Sequence, residues 1–479
     1  MRLCHTLGRT SAVFDEPNLV SSAGLVPVAA LAEAAGLGDL ADEHLSVPSD
    51  KGANAGLKVA SLVGGMVAGA DSIDDMGVLR HGGMTRLFAR VYAPSTLGSF
   101  LRAFTFGHVR QLDAVACRFL VALAGLTALF DRVGAYRDVV EPAGQRYALL
   151  DVDDTVIEVH GHRKQGAGFG YTRVRGLNAL LATLTTATSA PVIVAQRLRK
   201  GSCNSSRGAK RLIGDAVKLS RRMLVDDDTK LLVRMDSAFY GRGAVHAALV
   251  GGAEVSVTLR LDTAVRRAIS DIGEDAWTTV EYTDAVFDET TGQWISRAEV
   301  AETPFIAFAG GTKTDQVPGR LVVRRIPDFN ADQHRAAGQN TLFDVWRFHA
   351  FFTTAEPGTL DTIAADKTHR GHAIIEQVHA DLKSSALAHL PSGVFAANAA
   401  WLVLAVIAFN LTRAAASIGA AELARATTPT IRRKLIAIPA RVATSARRIT
   451  LHLPRAWPWE QAWNNLLTRV CGPPSLIAS

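Results

Sequence analysis

Aspartates on a short predicted strand are the first residues whose types and spacing could hold a metal ion. Asp151, Asp153 and Asp154 lie in the segment YALLDVDDTVIEV (residues 147–159), where β-branched residues and near alternation predict a half-buried strand. Side chains alternate between the two faces of a strand, so Asp151 and Asp153 share one face and Asp154 lies on the other. Two carboxylates on an otherwise apolar strand are costly unless they are paired or bind a metal. The segment therefore predicts a site for a cation or an ion pair.

A further carboxylate follows a second predicted strand. Lys230–Met235 (KLLVRM) is apolar enough for a buried strand, and Asp236 comes directly after it. Ligands and catalytic groups collect at the ends of strands in α/β sheets. An aspartate in this position is more often a turn or helix cap, so Asp236 becomes a catalytic candidate only together with the other acids.

Histidines and a glutamate line one stripe of a predicted helix over residues 366–383. Five residues follow a spacing of three, four, three and four positions, which places them on one helix face: His369, His372, Glu376, His379 and Lys383. The stripe is typical of a solvated surface, a zinc site or a surface that faces phosphate, and the lack of an HExxH motif disfavours a zinc protease. With the aspartates, Glu376 would complete a set of hard oxygen ligands that suits Mg²⁺ or Mn²⁺ in phosphodiester cleavage.

Basic residues are concentrated between positions 197 and 222. Nine of them accompany a single acid, Asp215, and they are Arg197, Arg199, Lys200, Arg207, Lys210, Arg211, Lys218, Arg221 and Arg222. Such a density is usually a solvated helix face, but beside a carboxylate site it favours contact with the DNA backbone. The glycine-rich run at residues 166–170 lacks the P-loop pattern and indicates nucleotide binding only weakly.

The composition is that of a globular, basic protein. With 479 residues, 48% of them hydrophobic and 20% charged, the chain should fold into two or three domains, and a disordered or fibrous protein is excluded. A net charge of +7 and an isoelectric point near 9.4 favour a polyanionic partner. The four cysteines are far apart and form no CxxC pair, which disfavours a zinc ribbon or a disulfide framework and favours a reducing cytoplasm.

Neither a membrane span nor a secretion signal is predicted. The longest apolar stretch, residues 399–409, has about half of the roughly 20 residues that cross a bilayer, so it predicts a buried helix. The first residues lack the continuous apolar core of a signal peptide. We therefore expect no membrane partner.

Strands and helices alternate in the middle of the chain, which indicates an α/β sheet domain. Helical patterns occupy residues 25–129, 207–223 and 364–416, the last with an interruption at 391–393. Strands are predicted at residues 147–159, 178–188, 191–198, 230–235 and 254–260, followed by a span rich in strand and turn signals at 262–352. Two short strand-like runs, residues 435–438 and 448–453, precede a Trp-Pro-Trp turn at 457–459.

Several segments together resemble a known family. The chain resembles the DDE transposases of bacterial insertion sequences, specifically insertion-sequence family 1380, in LDVDDTV, VRMDSAFYGRG, IIEQVHADLK and the downstream ANAAWLVLAVIAFNLTR. The resemblance extends to GADSIDDMGVLRHGGMTRLFARVYAPSTLGSFLRAFT and IRRKLIAIPARVATSARRITLHLPRAWPW, so it covers nearly the whole chain.

The resemblance implies an α/β fold with an RNase H-like catalytic domain that is interrupted by a β-rich insertion and preceded by a helical N-terminal region. The expected parts are a helical DNA-binding region (1–145), the first part of the catalytic domain (146–262), the β-rich insertion (263–350), the second part of the catalytic domain (351–420) and a basic C-terminal region (421–479).

The resemblance also implies roles for individual residues. The Asp-x-Thr pattern makes Asp153 the first catalytic acid, Asp236 the second and Glu376 the third, and these three would hold Mg²⁺ or Mn²⁺. Lys383 matches a lysine seven residues beyond the third acid, which would hold phosphate oxygens. Asp151, in register beside Asp153, is retained as an auxiliary metal ligand.

One departure from the family pattern concerns a phosphate clamp. Related transposases have Tyr-x-x-Arg-x-x-x-Glu on this helix, whereas this chain has His369 and His372 before Glu376. Both histidines are expected at the DNA, with His372 as a phosphate contact. The other expected DNA-binding residues are Arg197, Arg199, Lys200, Arg207, Lys210, Arg211, Arg221 and Arg222.

The implied activity is cut-and-paste transposition. The helical N-terminal region would bind the terminal inverted repeats of the element, and the catalytic domain would cleave double-stranded DNA and transfer the strand to target DNA. Because two ends must be joined, a homodimer on paired ends is expected, in the bacterial cytoplasm and associated with the nucleoid. Two alternatives stay open: a metal-dependent nuclease of the same fold without strand transfer, and a catalytically silent DNA-binding remnant, which the intact acids disfavour.

Overall fold

The computed structural model of the chain describes residue 4 and residues 7–48, 50–127, 129–130, 147–186, 189–224, 229–288, 293–327, 346–445 and 448–472. The α-helices are α1 (Leu25–Ala34), α2 (Leu37–His44), α3 (Ala55–Ala68), α4 (Met84–Leu87), α5 (Pro94–Arg102), α6 (Phe106–Leu126), α7 (Ala209–Met223), α8 (Arg242–Val250), α9 (Thr263–Ser270), α10 (Thr362–Arg370), α11 (Ile374–Lys383), α12 (Phe395–Gly419), α13 (Ala421–Ala424), α14 (Thr428–Ile431) and α15 (Glu460–Cys471).

The strands form two sheets within the described residues and confirm the α/β class. They are β1 (Leu19–Val20), β2 (Tyr147–Glu158), β3 (Gly168–Phe169), β4 (Arg175–Thr185), β5 (Val192–Lys200), β6 (Lys230–Met235), β7 (Glu254–Leu259), β8 (Thr278–Asp288), β9 (Gln293–Ala307), β10 (Val317–Pro327), β11 (Trp346–Thr353), β12 (Ala440–Ser445) and β13 (Arg448–His452). The small sheet joins β1 to β12 and β13, and the other strands form the large sheet.

Five strands, with β2 at their centre, form the part of the large sheet that carries the four aspartates. Asp151, Asp153 and Asp154 lie on β2, and Asp236 directly follows β6. Strand β4 is antiparallel to β2 and β5 is antiparallel to β4, while β6 is parallel to β2 and β7 is parallel to β6. Parallel neighbours need a crossover connection, and α7 and α8 precede β6 and β7. The order across this part of the sheet is therefore β5-β4-β2-β6-β7.

The strand-rich span beyond β7 continues the same sheet. Strand β11 pairs with β7, and β10, β9 and β8 follow in antiparallel order. The segment expected as an insertion (263–350) thus begins with helix α9 and adds its strands to the edge of the large sheet. The domain boundaries themselves stay predictions, and the one between residues 145 and 146 lies outside the described residues.

Helix α12 lies at the centre of the core. It has 25 residues, nearly all of them buried, and it packs against α6 of the helical region and against β5 of the sheet. Among the described residues it is the one helix long and apolar enough to cross a membrane, but 89% of its apolar window is buried inside the fold. The buried helix predicted at residues 399–409 is therefore confirmed.

A polar contact fixes this helix to the sheet. The side chain of Asn410 accepts a hydrogen bond from Ile193 N at 2.9 Å and donates one to Ile193 O at 2.8 Å. Ile193 lies beside a shift of register between β4 and β5, where an extra residue breaks the ladder. Asn410 thus satisfies backbone groups of β5 that face the helix.

Three local predictions differ from the structure. Residues 435–438, expected as a strand, begin in a π-helical turn (Arg432–Ile436), because a short buried apolar run suits a helix as well as a strand. The helix expected over residues 366–383 is divided into α10 and α11 by a 3-10 turn at Gly371–Ala373. Helix α15, after the Trp-Pro-Trp turn, was not predicted.

A buried ion pair holds α11 against α12. Asp381 of α11 accepts a hydrogen bond from Arg413 Nη2 at 2.5 Å, and both side chains are at most 5% exposed. The same carboxylate accepts hydrogen bonds from Thr428 N at 2.9 Å and from Thr428 Oγ1 at 3.0 Å. Buried charges are tolerated only when they are paired and hydrogen-bonded, so this contact fixes α11 relative to the core.

We predict that Arg413→Met lowers the free energy of unfolding by about 3–5 kcal/mol, because it leaves the buried Asp381 carboxylate without its cation. The double variant Asp381→Asn/Arg413→Met should be more stable than Arg413→Met alone, since the amide oxygen still accepts from Thr428 N and no charge is left unpaired. Denaturant titration of the three proteins measures the difference. Equal stability of the single and double variants would contradict the ion-pair account.

Candidate active site

Two aspartates lie side by side on neighbouring parallel strands. Val152 of β2 is the register partner of Met235, the last residue of β6, and the residues that follow them are Asp153, still in β2, and Asp236. Asp236 Oδ1 accepts a hydrogen bond from Ala238 N at 2.9 Å and caps a short 3-10 helix. Asp236 is therefore a helix cap, as the local pattern predicts, and it also stands at the strand edge where Asp153 lies.

Burial sets the electrostatics of this pair. Burial raises the pKa of Asp153 to about 7, the hydrogen bond from Asp154 N opposes the shift, and the charge of Asp236 adds to it. Burial also raises the pKa of Asp236. Burial thus disfavours the charged form of both carboxylates, and a bound cation would compensate for that cost.

Asp151 lies in a separate, fully buried ion pair. Its two oxygens accept hydrogen bonds from Arg234 Nε and Nη2, both at 2.7 Å, and Arg234 is its register partner on β6. His372 Nδ1 lies 2.8 Å from Asp151 Oδ1, and because a carboxylate can only accept, Nδ1 carries the hydrogen. Asp151 is 0% exposed, so both oxygens face protein donors and not solvent. The structure does not offer this residue, expected as an auxiliary metal ligand, to a metal.

The Asp151 ion pair also reaches the joint between α10 and α11. Arg234 donates a further hydrogen bond to Thr368 O in α10. A Cβ built on Gly371 would lie 2.8 Å from Arg234 Nη1, so the absence of a side chain lets the guanidinium pass close to the turn. Arg234 and His372 therefore connect strands β2 and β6 to the turn that begins α11.

Glu376 stands on the face of α11 that meets β2. It lies four residues after His372, which contacts Asp151, and three residues before His379, whose Nδ1 is 3.7 Å from Asp153 Oδ2. Residues at these spacings share a helix face. Glu376 itself is exposed. In the part of the chain that the structure describes, no three His, Cys, Asp or Glu side chains are grouped closely enough to hold a metal, so Glu376 lies on the helix that contacts Asp153 but forms no cluster with the aspartate pair.

His379, which the sequence placed on the helix stripe without a specific role, lies near the acids. Burial, with the charges of Lys383 and His372, lowers its pKa to about 3, so the imidazole is neutral beside Asp153. Its Nε2 is buried without a hydrogen-bond partner among the described residues. The regular spacing of His372, Glu376 and His379 was the sequence feature that could have indicated His379. For Arg234, the sequence shows only that it lies in an apolar strand.

His369 is packed away from the DNA-facing position expected for it. Its ring stacks on the ring of Phe351, with 4.1 Å between the ring centroids and an angle of 6° between the ring planes. Its Nδ1 lies 2.8 Å from Ser256 Oγ and its Nε2 lies 2.9 Å from Thr258 Oγ1. Burial lowers its pKa to about 3. A neutral ring with both nitrogens engaged cannot bind a phosphate by charge, whereas Lys383 is exposed at the end of α11.

Three of the expected DNA-binding arginines are instead engaged within the fold. Arg199 forms a buried ion pair with Asp154, on the face of β2 opposite Asp153. Arg197 bonds to Asp113 at 2.5 Å and to Asp215 at 2.8 Å. Arg221 donates to the carbonyl oxygens of Thr229 and Gly252, at 3.0 and 2.7 Å. Arg221 is nevertheless exposed, as are the other members of the basic set on α7 and in the segment that precedes it: Lys200, Arg207, Lys210, Arg211, Lys218 and Arg222.

One comparison with known proteins identifies a family for the chain. The family model described as transposase DDE domain group 1 matches residues 8–472. None of the curated proteins compared with the chain matches it. Because the family match spans nearly all of the 479 residues, the chain belongs to the transposase DDE domain group 1 family.

Proposed function

We propose that the protein is the transposase of a bacterial insertion sequence that resembles insertion-sequence family 1380. It would bind the terminal inverted repeats of its element, cleave the DNA in a metal-dependent reaction and transfer the strands to target DNA. The observation that carries the proposal is the pair Asp153 and Asp236, side by side at the edge of adjacent strands and faced by the helix that bears Glu376.

The strand order supports an RNase H-like catalytic domain, as the family resemblance implies. The antiparallel strands β2, β4 and β5 form one unit, and β6 and β7 lie on the other side of β2, parallel to it. The first acid lies on the central strand and the second follows its parallel neighbour. Strand ends at such a position are where α/β sheets bind their ligands.

The chemistry of the site fits Mg²⁺ or Mn²⁺. Hard divalent cations prefer carboxylate oxygens, and burial leaves the charges of Asp153 and Asp236 poorly solvated, so a bound cation would stabilise them. Asp153, Asp236 and Glu376 would hold the ions, and Asp151 would not, because Arg234 and His372 engage its oxygens. When bound, the ions would activate water or a 3′-hydroxyl and stabilise the leaving oxygen.

The residues around the acids would then position them and the DNA. Arg234 and Asp151 act as positioning residues, since they hold the start of α11 against β2 and β6. His372 would also be a positioning residue, because its Nδ1 is bonded to Asp151, and it would not contact a phosphate as an arginine does. Lys383, on the same helix face as Glu376, would be the phosphate contact.

The wider assembly follows from the family and from the charge of the surface. Exposed basic residues on and before α7 would contact the DNA backbone, and the N-terminal helices would recognise the inverted repeats. Because two ends must be joined, the protein would act as a homodimer on paired ends, in the bacterial cytoplasm at the nucleoid. A nuclease of the same fold would cleave but not join, so an assay for joined products separates the two activities.

We predict that Asp236→Asn and Glu376→Gln each abolish Mg²⁺-dependent cleavage of terminal-repeat DNA while binding to that DNA stays nearly unchanged. Loss of one charge from a metal site removes transition-state stabilisation, whereas end recognition depends on other surfaces. The asparagine oxygen can still accept from Ala238 N, so the Asp236→Asn protein should fold. Gel-based cleavage and binding assays on the same duplex measure both effects.

Glu356→Gln is the matched control, because Glu356 is an exposed glutamate before α10 and away from the two aspartates. This variant should cleave like the unmodified protein. Cleavage at the normal rate by Asp236→Asn or Glu376→Gln would remove these residues from the active site.

We further predict that Arg211→Gln/Arg222→Gln weakens binding to all DNA sequences about equally and lowers the salt slope by roughly 0.9 per lost phosphate contact. Both side chains are exposed on α7, whereas Arg221 donates hydrogen bonds to two backbone carbonyl groups. Arg221→Gln should therefore lower the melting temperature without the same change in slope. If the double variant lost specific binding alone, these residues would be reading bases.

A further inference from the structure

The connection between β2 and β4 carries an exposed aromatic surface. We define the β2–β4 loop as residues 159–174 (VHGHRKQGAGFGYTRV). Phe169 is 65% exposed, Tyr171 is 69% exposed and Val174 is 36% exposed. Large apolar side chains rarely cluster on a surface without a binding role. The loop includes the glycine-rich run, whose pattern did not fit a nucleotide site.

The loop is held firmly at its base, so these aromatic rings are exposed on an ordered segment. Gln165 N donates to Gly393 O at 3.0 Å, and Gln165 Oε1 accepts from Phe395 N at 3.0 Å. Gly201 N donates to Gly166 O at 3.0 Å, and Gly166 adopts φ +79°, a conformation that favours glycine. These contacts tie the loop to the segment before α12 and to the end of β5.

One close glycine contact and an arginine complete the anchoring. A Cβ built on Gly170 would lie 2.6 Å from Gly201 O, so the backbones approach as closely as they do only because Gly170 has no side chain. Arg175 Nη1 donates to Val159 O at 3.2 Å and to Gly161 O at 3.0 Å, across the open end of the loop. The glycines of residues 166–170 thus allow the close backbone contacts that fix the position of the loop.

The aromatic surface lies near the acids. Gly168 and Phe169 pair with Gly176 and Arg175 of β4, and Gly176 is the register partner of Glu158 on β2, the strand that carries Asp153. In agreement with this placement, burial raises the pKa of Tyr171, and the charges of Asp154, Asp153 and Asp236 raise it further. Tyr171 also lies within reach of Arg199, which is bound to Asp154. DNA that enters the active site would therefore pass beside this loop.

The charge of the loop complements DNA. Residues 159–174 include three basic residues and no acid. The exposed cations are Arg163 and Arg173, and the neighbouring segment adds exposed Lys200 and Arg207. The close contacts of Gly168 and Gly170 with Ser202 and Gly201 bring the two segments together. A cationic rim around exposed rings is the composition that binds single-stranded nucleic acid, where each unpaired base offers a face for stacking.

We propose that the β2–β4 loop binds the DNA strand beside the cleaved phosphate and that Tyr171 and Phe169 stack on bases left unpaired there. This inference rests on the proposed function. Bases in an intact duplex already stack on their neighbours, so the rings can be covered only where the pairing is opened. The loop would therefore stabilise opened DNA next to the site of cleavage.

The test compares two duplexes that carry the inverted repeat found in the DNA flanking the gene, one fully paired and one with mismatched bases next to the repeat. The full-length protein should bind the mismatched duplex more tightly without metal. Phe169→Ala/Tyr171→Ala should lose about tenfold in affinity for the mismatched duplex and little for the paired one, which abolishes the preference. Tyr171→Phe should keep the preference, because stacking needs the ring and not the hydroxyl.

Phe287→Ala provides the control, since Phe287 is 47% exposed on β8, outside the loop. It should keep the preference. Preference retained by Phe169→Ala/Tyr171→Ala, or absent from the unmodified protein, overturns the role of the loop while leaving cleavage of the repeat intact. If the unmodified protein neither binds nor cleaves the repeat, the proposed function fails, and this inference fails with it.

Discussion

The buried ion pair between Asp151 and Arg234 is the contact on which the arrangement of the acids depends. It joins register partners on two parallel strands, and Arg234 and His372 extend it to Thr368 O and to the turn that begins α11. Taking two charges out of water costs several kcal/mol per ion, so the pair is stable only with its geometry and hydrogen bonds complete. One network therefore fixes three elements: the strand of Asp153, the strand before Asp236 and the helix of Glu376.

Two residues beyond Asp151 and Arg234 in the chain, burial affects carboxylates that have no such cation among the described residues. Asp153 and Asp236 share the face of the Asp151 pair, and burial raises the pKa of both. Asp151 has its cation within the protein, whereas Asp153 and Asp236 would gain theirs from a divalent metal. In the proposed function, the charge that each carboxylate faces thus separates Asp151, the positioning residue, from Asp153, the proposed metal ligand.

The local sequence pattern predicted most helices and strands, but it did not predict features that depend on contacts between residues distant in sequence. The strands that carry Asp153 and precede Asp236 were predicted from alternation and apolar runs, and the buried helix α12 from its apolar stretch. The family resemblance, not the spacing, selected Asp153 over Asp151, because the partner Arg234 lies 83 residues away in sequence. The turn at Gly371 and the packing of His369 on Phe351 depend on β6, β7 and β11, so helical periodicity alone could not predict them. The sequence likewise gives no sign that Arg199 is buried and Arg211 exposed.

The most direct test of this account is an anomalous-scattering map from crystals of the protein with Mn²⁺ and its terminal-repeat DNA. The account predicts manganese bound by oxygens of Asp153 and Asp236, with Glu376 as a further ligand and Asp151 still bonded to Arg234. Manganese coordinated by Asp151, or a map with no manganese at Asp153 and Asp236, would contradict it.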